Sequence, residues 1–544
     1  MSDTEHSADA THDHDHDHEG PGYATPQAAI EESDPEELAY VMGLYVGTDV
    51  DAPDFLAVVD LDPDSATYAE VVDRVEMPNR GDELHHFGWN ACSSSCHVGG
   101  LERRHLVIPG QRSSRIHVVD TADRREPELE RVIEPGEVFD EDLSAPHTVH
   151  CIPDGQIVLS MLGDADGELP GGFLELDESD FSVDGRWEPP GEIELNYDFW
   201  YQPRQNVMVS TEWAAPTTYY PGFDLDDVEA GEYGRRLHVW NWEGKTVEQT
   251  IDLGEEGLIP LEVRFLHSPV STHGFVGAAL SSNVFNFHQV ETTPGSGPGR
   301  YAAEKVIDVE AREHEDWDMP VPGLVTDLLV SMDDRYLFFS NWLHGDVRMY
   351  DVSDPRNPRY VDRVWAGGHF GPDHPIEGER KVVGGPQMLQ LSLDGERLYW
   401  TTSLFSSWDN QTKPLLFSGR KHGVSHVGKV PRETRWRGPA LDPSRRRWPC
   451  HGRYPQRRDG FQDPRPGPRY QPRHRRISPV PPPESCRRNG HAPRRRRPDR
   501  RSGGSEPVSR RTSSRSQRRR YRRHQPPEGP QSLLSLSGGL RHQS

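Results

Sequence analysis

The chain has only five cysteines in 544 residues, and none sits in an obvious disulfide framework. That excludes a disulfide-stapled secreted scaffold and agrees with a reducing compartment. No apolar run approaches the ~20 residues of a membrane span, and the acidic, polar N-terminus is unlike a secretory signal, so the expected location is cytoplasmic. Helical periodicity is almost absent. Hydrophobic residues make up 33% of the chain and the mean hydropathy is −0.80, values low enough that part of the length is expected to remain unfolded.

Lysine is scarce as well, and the charge is unevenly placed. Of the formal −27, residues 1–411 carry roughly −54 and residues 412–544 roughly +27, which calls for separate readings of the two parts. In the first part Asp and Glu are spread through every turn ("VVDLDPDSATYAEVVD", "DLDDVEAGEY"). Such a surface suits a halophilic protein working in concentrated salt, where self-repulsion is screened, and it disfavours a nucleic-acid partner.

Residues 1–34 read as a disordered, acidic, His-rich tail. The "HDHDHDH" run from His12 to His18 could scavenge a divalent metal, but a solvated, disordered tail is the favoured reading and no active site is placed there. From about residue 35 to 411 the grammar is β: short runs of Val, Leu, Phe, Tyr and Trp cut by Asp-Gly, Pro and Asn turns. A unit recurs in which a turn precedes a strand ending in Ser or Thr: "CIPDGQIVLSML", "YQPRQNVMVSTEW", "LHSPVSTHGFVGAAL", "VSMDDRYLFFSNW" and "LSLDGERLYWTTSL". The spacing of roughly 50 to 65 residues predicts an all-β propeller, in which each four-stranded blade buries its faces against its neighbours. A single β-sandwich would be strained to hold so many strands.

After Gln411 this grammar stops, and "APRRRRPDRRSGG" and "SRSQRRRYRRH" typify an Arg/Pro-rich segment, 412–544, expected to be disordered. A basic arm for nucleic acid is one reading. The abrupt start in mid-blade, after an acidic chain, favours a GC-rich gene read out of frame.

Candidate chemistry gathers in imidazoles. "DELHHFGWNACSSSC" holds His85 and His86, which on a strand point to opposite faces, together with Cys92 and Cys96. Their C-x3-C spacing, with no second pair, is not a structural zinc site. "HTVHC" adds His147, His150 and Cys151, "FLHSP" adds His267, and "NWLHGD" adds His344. Loops and strand ends of successive blades converge on one channel, so these histidines can either meet in a metal site or serve as scattered structural residues. Neutral imidazoles, with or without a thiolate, suit copper, zinc or iron and not magnesium or calcium. No G-x-S-x-G elbow, P-loop or dinucleotide fingerprint is present. Trp89, Trp200, Trp213 and Trp342 are expected to fill blade interfaces.

Several phrases, among them "GPGYATP", "DELHHFGWNACSSSC", "SSRIHVVD", "HTVHC", "YDFWYQPRQNVMVSTEWAAP", "GLIPLEVRFLH", "SNWLHGDVRMYDVSDP" and "GGPQMLQLSLDGERLYWTTSL", closely resemble the selenium-binding protein family over about residues 20–411. The resemblance implies a seven-bladed propeller. For members with demonstrated activity it implies copper-dependent oxidation of methanethiol by dioxygen and water to formaldehyde, hydrogen sulfide and hydrogen peroxide, so the partners are a small thiol and dioxygen. His85, His86, His147, His150, His267 and His344 are then the expected metal ligands or their supports. Cys92 and Cys96 become thiol or selenium contacts, or a reversible pair.

Three departures from the family stand out. Gly43 occupies the position where animal members carry a selenium-associated cysteine, and an N-terminal C-x2-C is missing. From Thr412 the family's Phe-Tyr-Pro and its His-Glu-containing end are replaced, so the last blade is expected to be incomplete, and inactivity of this chain is one expected consequence. The alternative function is a non-catalytic propeller that binds selenium, a thiol or a protein.

Overall fold

The computed structural model describes residues 22–92, 101–153, 155–292, 297–315, 317, 319–371 and 384–416. Five four-stranded antiparallel sheets follow one another along the chain. They begin with Gly88–Trp89, Ser144–Ile152, Phe199–Gln202, Pro260–Phe265 and Val325–Val330, and are called blades 2 to 6 below. Blade 1 is a three-stranded sheet, Leu38–Gly43, Phe55–Asp60 and Val71–Glu76, and a two-stranded sheet, Leu389–Leu391 with Leu398–Trp400, follows blade 6. The described residues therefore form an all-β propeller of six blades, with one further two-stranded sheet. Pairing within each sheet is between sequence neighbours, the local connectivity that tight turns impose.

First strands lie side by side between blades 2 and 3, 4 and 5, and 5 and 6, and between blade 6 and the two-stranded sheet, as strands lining a central channel do. Blades 2 and 3 approach so closely that a Cβ on Gly88 would lie 2.6 Å from the carbonyl oxygen of Val149. Between the sheets run apolar clusters such as Val107, Ile116, Leu159 and Leu174, and Val209, Val239, Val276 and Phe287, all buried. Stacking is what buries them, since no single sheet could.

The Ser or Thr that closes the repeating unit in blades 3, 4 and 6 has a definite task. In blades 3 and 6 a bulge interrupts the first strand, between Pro146 and Val149 and between Val325 and Asp327, freeing one backbone N–H from the ladder. In blade 3 the Thr148 N–H donates to Ser160 Oγ at 3.0 Å, and that hydroxyl donates to the Tyr197 carbonyl at the start of blade 4. In blade 4 Thr211 Oγ1 accepts from the Asp198 N–H at 3.1 Å and donates to the Leu261 carbonyl of blade 5 at 2.7 Å. Ser340 repeats the pattern, accepting from the Asp327 N–H at 3.0 Å and donating to the Gln387 carbonyl at 2.8 Å. Each hydroxyl thus stitches one blade to the next. Ser160→Ala should leave a buried N–H and a buried C=O unpartnered, lowering unfolding free energy by roughly 2–4 kcal/mol. Denaturant titration measures this, with Ser160→Thr expected to recover most of the loss and a change below ~0.5 kcal/mol counting against the stitch.

Two helices extend beyond the expected boundaries of the folded part. Residues Pro26–Glu32, placed by the sequence within the disordered N-terminal tail, form a helix because Thr25 caps it through Oγ1 and Pro26 opens it. The helix Ser406–Leu416 continues past Gln411. Its start is fixed on blade 2, where buried Glu83 accepts from the Ser406 N–H at 2.5 Å and its hydroxyl at 2.8 Å, and pairs with Arg112 at 2.9 Å. Trp408 Nε1 donates to the Tyr219 carbonyl at 3.2 Å. The expected tails over 1–21 and 417–544, including the His12–His18 run and the basic segment, lie outside the described residues. No described helix is long and apolar enough to cross a membrane.

Candidate metal centre in the propeller channel

The site forms where the first strands of blades 2 and 3 face each other. His85 and His86 precede Gly88–Trp89, and His147 sits at the blade 3 bulge. Ring centroids are 5.0 Å apart for His85 and His86, 4.8 Å for His85 and His147, and 4.3 Å for His86 and His147. One nitrogen from each lies within 4.8 Å of the others, a spacing that could hold a metal ion. His147 is fully buried and packs on the Tyr197 ring at 4.0 Å.

Chemically the set matches a borderline or soft cation. Burial, and then the neighbouring His86, push the pKa values of His85 and His147 well below the ordinary range, so both imidazoles are neutral. Burial also opposes a charge on His86, but Glu262 beside it outweighs that and raises its pKa. The His147 Nε2 atom is buried without a hydrogen-bond partner, which in a native interior calls for an occupant. His86 Nε2 lies 3.2 Å from Glu262 Oε1, off the line of a good hydrogen bond.

Sequence reasoning did not identify the acidic residues around these histidines. Asp198, Glu262 and Asp327 come from the start of blades 4, 5 and 6, and all three are buried around Arg264. Arg264 Nη1 is 2.7 Å from Asp198 Oδ2, and its Nη2 is 2.7 Å from Glu262 Oε2 and 3.9 Å from Asp327 Oδ1. Burial and repulsion by Glu262 push Asp198 and Asp327 up to about 7. Glu262 is held at about 2: burial opposes its charge, but His86 and Arg264 more than compensate. Ionised Glu262 together with partly ionised Asp198 and Asp327, against one guanidinium, leaves net negative charge that favours a cation among the imidazoles.

The other expected ligands stand apart. His150 lines the same cavity as His85 and His86 but is ringed by Phe199, Trp200 and Tyr201 at 4.8, 4.7 and 5.5 Å, and burial lowers its pKa to about 3. His267 lies on the cavity wall, its Nε2 3.0 Å from the Val330 carbonyl. His344 is elsewhere, buried against Phe370 with Nε2 2.9 Å from the Val321 carbonyl. It follows the second strand of blade 6, Tyr336–Asn341, in a turn whose Trp342 and Leu343 pack in a buried aromatic cluster. A second cluster, His105, Asp120 and Glu130, is engaged internally: Arg104 Nε binds Asp120 at 2.6 Å and His105 pairs with Glu130 at 2.8 Å.

The cysteines differ from expectation too. Cys92 is joined to Cys151, Cα atoms 6.5 Å apart, a partner the C-x3-C spacing did not suggest. Adjacent first strands bring the two within reach although 59 residues separate them. Cys96 lies outside the described residues. At position 43 the cysteine's place is filled: a Cβ on Gly43 would meet the Phe55 ring at 2.1 Å.

Around the site, a cavity of ≈ 1390 Å³ among the described residues is lined by His85, His86, His150, Trp200, Arg264 and Met388, among others. Tyr197, which packs on His147, joins Trp213, Tyr219, Trp342, Phe405 and Trp408 in one buried cluster, with Trp213 stacked on Tyr219 at 3.9 Å. Trp213 and Trp342 therefore fill the core, whereas Trp89 and Trp200 line the cavity. The histidines thus lie between this cavity, which His85 and His86 line, and the aromatic cluster, which His147 meets through Tyr197.

Comparison with known proteins places this geometry. The profile of the 56kDa selenium binding protein family matches residues 17–426. The methanethiol oxidase of Xenopus laevis is 48% identical over 417 residues, covering 73% of this chain and 87% of that one. The human methanethiol oxidase is likewise 48% identical, with the same coverage. Selenium-binding protein 1 of Arabidopsis thaliana is 47% identical over 424 residues, 74% of this chain and 85% of its own length. The crystal structure of a hypothetical selenium-binding protein from Sulfolobus tokodaii is 42% identical with a TM-score of 0.68, covering 72% of this chain and 88% of the other.

Proposed function

The chain belongs to the 56kDa selenium binding protein family, and we propose that its propeller oxidises methanethiol with dioxygen and water, giving formaldehyde, hydrogen sulfide and hydrogen peroxide, at a copper ion held by His85, His86 and His147. The observation that carries this reading is the buried cluster of three imidazoles, two of them held neutral, beside an excess of carboxylate. Copper suits nitrogen and sulfur donors and would supply the one-electron path to dioxygen that side chains lack. The residues do the rest. His85, His86 and His147 offer lone pairs; Trp200, Met388 and His150 give a thiol a largely apolar approach; the Tyr197–Trp213–Tyr219 cluster keeps water from the far side.

In this reading the two-stranded sheet after blade 6 is the start of a seventh blade, and the location is cytoplasmic. Residues 412–544 follow from a shift of reading frame, so a chain with the family's own C-terminus is the better catalyst. The test is oxygen-dependent hydrogen sulfide release from methanethiol by copper-loaded protein, for this chain and for one with a family-like end. Release from the second, larger than from the first, is expected; release from neither would remove the enzyme reading. The nucleotide sequence near codon 411 checks the frame directly: a single-base change should restore Phe-Tyr-Pro.

A further inference from the structure

Contacts of His86 and of His147 belong to one polar chain. His86 Nε2 faces Glu262 Oε1 at 3.2 Å, and Glu262 Oε2 accepts from Arg264 Nη2 at 2.7 Å. Arg264 Nη1 donates to Asp198 Oδ2 at 2.7 Å, and Asp198 Oδ1 accepts from Thr148 Oγ1 at 2.9 Å. Thr148 Oγ1 lies 2.9 Å from His147 Nδ1. The path leaves one histidine, crosses blades 5 and 4, and returns to the other through blade 3.

We propose that Glu262, Arg264, Asp198 and Thr148 are positioning residues that fix the tautomers of His86 and His147, so that His147 presents Nε2 and His86 presents Nδ1 to a metal. Proton counting carries the argument. Thr148 has one hydroxyl proton, and it points to Asp198 Oδ1. With Asp198 ionised, the Thr148 oxygen can only accept from His147, so the proton between them belongs to Nδ1. Nε2 of His147 is left with a lone pair, and that is the nitrogen found buried without a partner. On His86 no hydrogen bond sets the proton, but the Glu262 carboxylate 3.2 Å from Nε2 favours it there by charge, leaving Nδ1 as the donor. Arg264 holds the two carboxylates at fixed separation, and it is itself pinned by its Nη1 donation to the Val263 carbonyl at 2.7 Å and by Trp200, whose ring centre is 4.6 Å from Cζ. Partners of this kind orient ligating imidazoles and raise their basicity.

The inference rests on the reading that this cluster holds copper, yet one of its tests needs no metal. In ¹⁵N-histidine-labelled apoprotein, NMR should show His147 protonated at Nδ1 and His86 at Nε2. Thr148→Val keeps the backbone bond to Ser160 but removes the hydroxyl, and should leave His147 as a mixture of tautomers, with Thr148→Ser restoring the single form. Copper affinity should fall roughly 10–100-fold in Thr148→Val and in Glu262→Gln, with altered nitrogen couplings in the electron paramagnetic resonance spectrum, and recover in Thr148→Ser. His147 protonated at Nε2 in the parent protein would overturn the proposal, as would a Thr148→Val variant with unchanged tautomer and copper affinity. A parent protein that shows the expected tautomers but takes up no copper would contradict the proposed function while leaving the relay in place.

Discussion

Replacing Arg264 by leucine should destabilise the propeller by about 3–5 kcal/mol or more at neutral pH, because the change strands buried carboxylates without their counter-charge. Asp198, Glu262 and Asp327 are each at most 4% exposed and come from three different blades, so loss of their common partner weakens all three junctions. The size of the effect should depend on pH, and the sign follows from proton counts. Without the guanidinium the folded chain must hold protons on these acids that the unfolded chain releases above its ordinary carboxylate range. Stability of Arg264→Leu should therefore be greatest near pH 4 and fall steadily toward pH 7. Asp198 and Asp327, already raised from 3.8 to about 7 in the parent, contribute a milder fall of the same sign over that window. Glu262, lowered from 4.5 to about 2, works oppositely, its contribution being lost as pH drops below 4.5. Urea titrations of both proteins at pH 4.5, 5.5 and 7 would show the two curves converging in acid. A constant gap between them would mean that the carboxylates do not depend on Arg264.

The second large effect concerns the histidines. His147→Ala removes the only cluster member contributed by blade 3, and should abolish tight copper binding and reduce hydrogen sulfide release on the order of 10³-fold, the several kcal/mol that a catalytic metal contributes. His344→Ala is the comparison: its ring bonds to the Val321 carbonyl, away from the cluster, so copper content should stay at the parent level although stability drops. Equal losses of copper in the two variants would refute this placement of the site.

Most of the fold was legible because a propeller repeats its grammar. The turn-plus-strand units mark blades 3 to 6 in order, and their terminal Ser and Thr proved to be inter-blade bridges at Ser160, Thr211 and Ser340. In blade 5 Gly277 takes that place, which is why "GFVGAAL" ends its strand differently. That His85, His86 and His147 lie close together was legible because strand ends in adjacent blades face one another, but the same rule does not fix where along the channel a residue lies, so it also grouped His344 with them, which the structure places apart. Asp198, Glu262 and Asp327 escaped notice although the signal was present. In "YDFWY", "LEVRF" and "TDLLV" an acidic residue interrupts an apolar strand at the same place in three consecutive repeats. A charge repeated there, in a strand otherwise built for burial, requires buried partners, and aligning the repeats would have exposed it. The Cys92–Cys151 pair was hidden for a different reason: it joins neighbouring strands of separate blades, a proximity that cysteine spacing does not encode. The helix Ser406–Leu416 depends on Glu83, 323 residues away, and local pattern carries no trace of such an anchor.

The account turns on whether the three imidazoles form a metal site, and copper titration followed by electron paramagnetic resonance tests that most directly. One tightly held copper per chain, with nitrogen couplings from more than one imidazole and with binding abolished in His86→Ala and His147→Ala, is the predicted result. Failure to retain copper, or retention undiminished when both histidines are replaced, would contradict it.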